Sequence, residues 1–202
     1  MTGSHTFVHE MDPLKALDLE VNRAASAGMP EPSAMTLATV TKDGAPRARI
    51  VLYKGQSDGG LCFFTNYNSD KAKELESGRT ALLFHWAPLE TQIRVEGLVE
   101  KVSRAESEAY FRTRPRISQL GAWSSNQSEE IPSTEYLINR FGEIEKEYEG
   151  KEVPCPPYWG GYRVRPLMME FWFGRPGRMH ERYVYERESI QQNTWRRYLK
   201  SP

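Results

Sequence analysis

The stretch MTLATVTKDGAPRARIVLY, residues 35–53, decides the fold class. Residues 35–40 and 46–53 are rich in β-branched and alternating side chains, and Lys42, Asp43 and Gly44 between them supply turn chemistry. Two antiparallel strands joined as a hairpin are predicted. Side chains alternate along a strand, so in the second one Arg47 and Arg49 share one face and Ala48, Ile50 and Leu52 the other. Arg49 can therefore reach a ligand from a rigid element.

Working outward, Asp12 reads as the N-cap and Pro13 as the first residue of a helix. Its apolar face is Leu14, Leu17, Val21 and Ala24, and Gly28 stops it. Further strands are predicted at 61–65, 81–86, 91–102, 161–165, 168–173, 179–186 and 195–199, with a bulge or sharp bend at Gly97. Ser69 should cap a short helix at 71–75 that ends before Gly78. A capping box, Ser103 with Glu106, opens a helix that runs to about Thr113 and is ended by Arg114 and Pro115. A longer helix at 133–148 presents Leu137, Phe141, Ile144 and Tyr148 on one side. Many strands with few scattered helices, in no regular alternation, argue against a doubly wound nucleotide fold. The expectation is a mainly β (α+β) chain, an antiparallel barrel, closed or partly closed, with peripheral helices. Residues 1–11 read as a flexible N-terminal arm and 12–202 as a single domain.

Composition excludes several functions. Lys plus Arg and Asp plus Glu each total 27, so no broad field favours nucleic acid or an anionic membrane, and any basic site is local. No apolar run approaches the roughly 20 residues of a membrane span, and the N-terminus has no signal pattern, which makes cytoplasmic the default location. Cys62 and Cys155 stand far apart and read as free thiols in a reducing compartment. His5 and His9 have i, i+4 spacing but fall in the arm, and neither His85 nor His180 sits in a metal-binding pattern, so no metal is predicted. Gly-x-Gly-x-x-Gly and P-loop strings are absent.

Three clusters combine a cation with hydroxyl or amide groups, the mixture that fixes a phosphate by charge and directed hydrogen bonds. They are Arg49 with Lys54; Thr65 with Ser69 and Lys71; and Tyr110 with Arg114 and Ser118. A solvated charged face would look similar, so composition alone leaves both readings open.

Several strings carry a resemblance: RIVLYK at 49–54, FFTNYNSDK at 63–71, YFRTRPRISQLGAW at 110–123, NQS at 126–128, WGGYRV at 159–164 and EFWFGRPGRMHER at 170–182. Their order and spacing, from Asp12 to Pro202, resemble the pyridoxine/pyridoxamine 5'-phosphate oxidase family. That resemblance implies an FMN-binding split barrel, a homodimer with the flavin at its interface. The implied reaction is oxidation of a phosphorylated B6 vitamer by O2, releasing hydrogen peroxide. By matching position, Arg49 and Lys71 would pair with the FMN phosphate, and Gln127 and Ser128 would add hydrogen bonds. Ile50, Val51, Leu52 and Tyr53 would line the flavin, with Phe64, Thr65, Gln92, Trp172 and Arg182 completing that site. Lys54, which ends the RIVLYK run beside the cofactor, would hold the substrate phosphate with Tyr110, Arg114 and Ser118. Arg178 and His180 would cover the substrate ring opposite the flavin as the catalytic pair. Read as strand residues two apart, they share a face with Arg182, while Met179 and Glu181 take the other.

Two residues depart from the family pattern. Asp70 stands where a basic residue is common, and adds repulsion near the FMN phosphate. Phe173 follows Trp172 where Gln is common, and the arm that can close over the substrate in relatives is short here. Two other readings remain: a split-barrel flavin oxidase acting on another substrate, such as a phenazine precursor, and a non-catalytic flavin or pyridoxal-phosphate binding protein. The last would keep the phosphate clusters but need no Arg178 and His180.

Overall fold

The computed structural model describes residues 7–9 and 12–202. Helix α1, Pro13–Ser26, starts as its sequence dictates: the Asp12 carboxylate accepts from the backbone N–H groups of Leu14 and Lys15 at 3.0 and 3.2 Å. Its Ala16, Leu17 and Ala24 are buried against the sheet. Strands β1, Ala34–Val40, and β2, Pro46–Leu52, form the expected hairpin, in register from Ala34 opposite Leu52 to Val40 opposite Pro46.

The chain continues through β3, Gln56–Ser57, β4, Gly60–Asn66, and the short helix α2, Asp70–Glu74. Then come β5, Arg79–Trp86, β6, Thr91–Lys101, and helices α3, Arg104–Thr113, α4, Arg116–Ser124, and α5, Thr134–Glu147. Strands β7, Trp159–Phe173, β8, Glu181–Glu186, and β9, Arg196–Leu199, end it. Every pairing is antiparallel, in the order β2-β1-β5-β6-β7-β4-β3, with β8 beside β7 and β9 beside β8. The path also closes. Just beyond β2, the Lys54 N–H donates to the Cys62 carbonyl of β4 at 2.8 Å, and the Cys62 N–H donates to the Gly55 carbonyl at 2.9 Å. Closure gives the predicted barrel its interior: Leu37, Leu61, Phe63, Leu82, Phe84, Ile93, Val95, Met169, Phe171 and Phe173 are all buried there. Phe7 packs on Phe171 and Tyr183, and the Tyr185 hydroxyl donates to the His9 carbonyl at 2.9 Å. The remainder of the predicted arm, with His5, lies outside the described residues.

Four sequence expectations change. Residues 161–165 and 168–173 are parts of one strand, β7. One of its edges pairs with β6; the other pairs with β4 over 159–164 and with β8 over 168–173. Pro166 falls between those two partners, where a missing N–H costs little. Opposite it, the register of β6 shifts between Glu96 and Gly97, the predicted irregularity. Helix α4 is an addition: Pro115 ends α3 but also starts α4, its carbonyl accepting from Ser118 and Gln119 N–H at 2.8 and 3.1 Å. Ser69 occupies the N-cap position of α2, yet its hydroxyl donates back to the Asn66 carbonyl at 2.7 Å instead of capping. The strand predicted at 179–186 begins only at Glu181, after a 3-10 turn at Pro176–Arg178.

A Cβ on Gly97 would overlap the Arg165 carbonyl, which is backbone and cannot swing aside. Gly97→Ala is expected to cost about 1–3 kcal/mol of stability, the usual range for overpacking. Urea denaturation measures it, and an unchanged midpoint would contradict this account of the bulge.

Candidate active site

A cleft of about 630 Å³ opens between β2, β4 and the α3–α4 corner. Strand β2 lines one wall with Ile50, Val51 and Leu52, followed by Lys54. Ile50 is 63% exposed, an apolar side chain that a flat ring would cover. Tyr53, just past the end of β2, turns into the core instead, where its hydroxyl donates to Asp18 at 2.6 Å.

Thr65, Lys71 and Gln127 meet in the lining of this cleft. The Thr65 hydroxyl and the Lys71 ammonium both donate to the Gln127 side-chain carbonyl, at 3.0 and 3.1 Å. Ser128, at φ 74°, takes the N–H of Asp70 on its hydroxyl at 3.3 Å. Burial, then the charge of Arg49, pulls the Lys71 pKa below the ordinary lysine value. Arg49 itself is outside the lining. Its guanidinium donates to Glu74 at 2.6 Å and to the Thr39 hydroxyl, and the Glu74 carboxylate is only 9% exposed. Asp70 points outward, 3.6 Å from Lys73.

Tyr110, Arg114 and Ser118, from α3 and α4, line the same cleft. The helix break at Pro115 brings Arg114, at the end of α3, beside Ser118 in the first turn of α4. The Arg114 guanidinium lies 4.6 Å from the Trp159 ring and 5.5 Å from Phe111. Its Nη1 is buried with no hydrogen-bond partner, and burial lowers its pKa. A buried charged donor left unmatched is costly, so this atom calls for an acceptor that the chain itself does not supply, and an anion would match its charge. Tyr110 is fixed by stacking on Phe64 at 3.9 Å, and Phe64 stacks on Trp159 at 5.5 Å. The sequence reading assigned Trp159 no role, although the two glycines after it were a signal. A Cβ on Gly160 would overlap the Tyr67 hydroxyl, and one on Gly161 the Phe64 ring.

Gln92, Trp172, Arg182, Arg178 and His180 form a second group that does not line this cleft. Gln92, Trp172 and Arg182 are cross-strand neighbours on β6, β7 and β8. Arg182 forks onto Glu170, at 2.8 and 2.9 Å, and that carboxylate is 3% exposed. The Trp172 and His180 rings lie 4.7 Å apart. The shared strand face expected for Arg178, His180 and Arg182 does not exist: Arg178 sits in the 3-10 turn at φ 62°, and His180 precedes β8. The flanking Gly174, Pro176 and Gly177 set that turn, and alternation from β8 does not extend into it. Trp159 and Trp172 occupy opposite ends of β7, about 40 Å of strand length apart at about 3.3 Å per residue.

Among the described residues, no group of three or more His, Cys, Asp or Glu could hold a metal, and no helix is long and apolar enough to cross a membrane.

Residues 21–147 match the family model described as pyridoxamine 5'-phosphate oxidase, and residues 159–202 match that of the pyridoxine 5'-phosphate oxidase C-terminal dimerisation region. The chain belongs to the pyridoxine/pyridoxamine 5'-phosphate oxidase family. The pyridoxine/pyridoxamine 5'-phosphate oxidase of Rubrobacter xylanophilus is 51% identical, over 95% of this chain and 87% of that protein. The protein of the same name from Bdellovibrio bacteriovorus is 47% identical, over 95% and 97%. Among solved structures, PhzG of Burkholderia lata, in complex with tetrahydrophenazine-1-carboxylic acid, superposes with a TM-score of 0.88 at 30% identity, covering 95% of this chain and 93% of that one. An FMN binding protein from Nostoc punctiforme, related to pyridoxamine 5'-phosphate oxidase, gives 0.77 at 15% identity over 96% and 100%, a likeness of fold. The barrel of this chain is thus the split barrel of that family.

Lys71 makes a testable contribution. A phosphate beside Lys71 should bind less well as pH rises, above the second phosphate ionisation, toward the ordinary lysine range, because a lysine with a lowered pKa discharges below that range. Calorimetric titration with inorganic phosphate should show Lys71→Ala weakened about 10- to 100-fold at the low end of that pH span, with a flatter profile. Equal profiles in both proteins would contradict this.

Proposed function

We propose that this enzyme uses FMN to oxidise pyridoxine 5'-phosphate or pyridoxamine 5'-phosphate with O2, forming pyridoxal 5'-phosphate and hydrogen peroxide, and that it works as a homodimer. The observation that carries the reading is the buried, unpartnered Nη1 of Arg114 in a cleft that Lys71 also lines. Two cationic groups on different elements, Lys71 on α2 and Arg114 at the end of α3, suit two phosphates, one on the cofactor and one on the substrate.

The residues present fit FMN. Lys71, Thr65, Gln127 and Ser128 would hold its phosphate, with Arg49 adding charge from behind Glu74. Ile50, Val51, Leu52 and Phe64 would line the ring, and Tyr53 would support that wall from the core. Bound there, FMN supplies the acceptor for a hydride equivalent from the substrate's C4' carbon and returns the electrons to O2. Lys54, Tyr110, Arg114 and Ser118 would hold the substrate phosphate and so fix the ring's distance from the flavin. A second copy would bring Arg178 and His180 over the substrate, with Gln92, Trp172 and Arg182 closing the flavin side. The match of residues 159–202 to a dimerisation region supports that arrangement. Free thiols at Cys62 and Cys155 fit a reducing compartment such as the cytoplasm.

Similarity to PhzG supports a second reading, oxidation of a reduced phenazine acid. A phenazine carboxylate could also accept from Arg114, but Lys54, Tyr110 and Ser118 line the cleft beside it, and four donors suit the three terminal oxygens of a phosphate better than the two of a carboxylate, which favours the first. FMN-loaded protein in air should release hydrogen peroxide with either B6 phosphate. Arg114→Ala should raise KM about 10- to 100-fold with little change in kcat, the signature of lost substrate binding. Turnover of tetrahydrophenazine-1-carboxylic acid with none of either B6 phosphate would establish the second reading instead.

A further inference from the structure

The turn that carries Arg178 and His180 is fastened by this chain's own residues. Gly177 and Arg178 both have positive φ, 67° and 62°, a backbone conformation that an arginine adopts only when its surroundings impose it. Two contacts impose it. The Arg175 guanidinium forks onto Glu181, Nε to Oε1 and Nη2 to Oε2, each at 2.9 Å, which ties the two ends of the turn together. Within that loop the Arg175 backbone N–H donates to His180 Nδ1 at 3.1 Å.

A ring nitrogen that accepts from an N–H carries no hydrogen, so the neutral imidazole bears its hydrogen on Nε2. The Trp172 ring, 4.7 Å away, further restricts the orientation of the imidazole. We propose that Arg175 and Glu181 are positioning residues that set His180 as an Nε2–H donor and hold Arg178 in its left-handed turn. His180 then donates a hydrogen bond to an oxygen substituent of the substrate ring. In this tautomer Nε2 cannot take the proton that leaves the C4' alcohol or amine. This role toward substrate rests on the proposed oxidase reading, whereas the tautomer does not.

The test uses FMN-loaded, full-length protein carrying 15N-labelled histidine, with the His180 signals assigned by their loss in His180→Gln. Two-bond nitrogen–proton correlations should show Nε2 protonated and Nδ1 bare. Arg175→Ala keeps the backbone N–H but unfastens the fork. It should mix the two tautomers and lower kcat/KM with pyridoxine 5'-phosphate about 10-fold or more. Arg175→Lys, able to pair with Glu181 but not to fork, should recover part of both losses, and Glu181→Gln should resemble Arg175→Ala. A hydrogen on Nδ1 in the unaltered protein would overturn the proposal, as would an unchanged tautomer and kcat/KM in both Arg175→Ala and Glu181→Gln. If no B6 phosphate turns over but the Nε2–H tautomer is present and is lost in Arg175→Ala, the positioning role stands and the oxidase reading falls.

Discussion

Strand β7 runs for 15 residues and keeps β6 along one edge while exchanging β4 for β8 along the other, and the remaining structure follows from how it does so. Pro166 at the exchange, facing Gly97 across the register shift, lets the strand bend without leaving ladder groups unmatched. The first half, paired with β4, delivers Trp159 beneath Arg114 in the cleft. The second half, paired with β8, delivers Trp172 beside His180. A strand cannot fold back on itself, so one copy holds these two sets of residues apart. The same strand lies in the region that matches a dimerisation-region model, and on the proposed reading a second copy would supply what the first holds apart.

The cations divide into two kinds. Arg49, Arg175 and Arg182 are each matched to a carboxylate, Glu74, Glu181 and Glu170, and serve as rigid parts of the frame. Lys71 and Arg114, both lining the cleft, are half-buried and have no carboxylate partner among the ion pairs of the described residues; burial lowers the pKa of both. Holding such groups costs stability, a cost that a bound anion would offset by linkage. This arrangement gives a chain of zero formal charge two strongly cationic points without a broad positive field.

Local chemistry made much of this legible. The Asp12 cap, the capping box of Ser103 with Glu106 and the β1–β2 hairpin each depend on residues a few positions apart, the irregularity at Gly97 was marked by the glycine itself, and the structure has them all. Features that depend on distant partners were not legible. Pro166 looked like a strand end because nothing nearby reveals the exchange of β4 for β8. Pro115 looked like a stop because a proline that ends one helix can start the next. Strand alternation failed at Arg178 because Gly174, Pro176 and Gly177 allow a turn that the contact between Arg175 and Glu181 then fixes. At the site, the cleft unites the Thr65–Lys71 and Tyr110–Ser118 clusters and Lys54, but Arg49 is drawn to Glu74, a carboxylate 25 residues away that composition could not single out.

The central claim is that the cleft and the turn at His180 act together only across two copies. Co-expressing an Arg114→Ala chain and a His180→Ala chain under different tags, and purifying the mixed dimer, tests this directly at substrate well below KM. A site shared between copies leaves one complete site in each mixed dimer, so its activity should be about half that of the unaltered protein, far above either parent. A mixed dimer no more active than the mean of its parents would contradict the account.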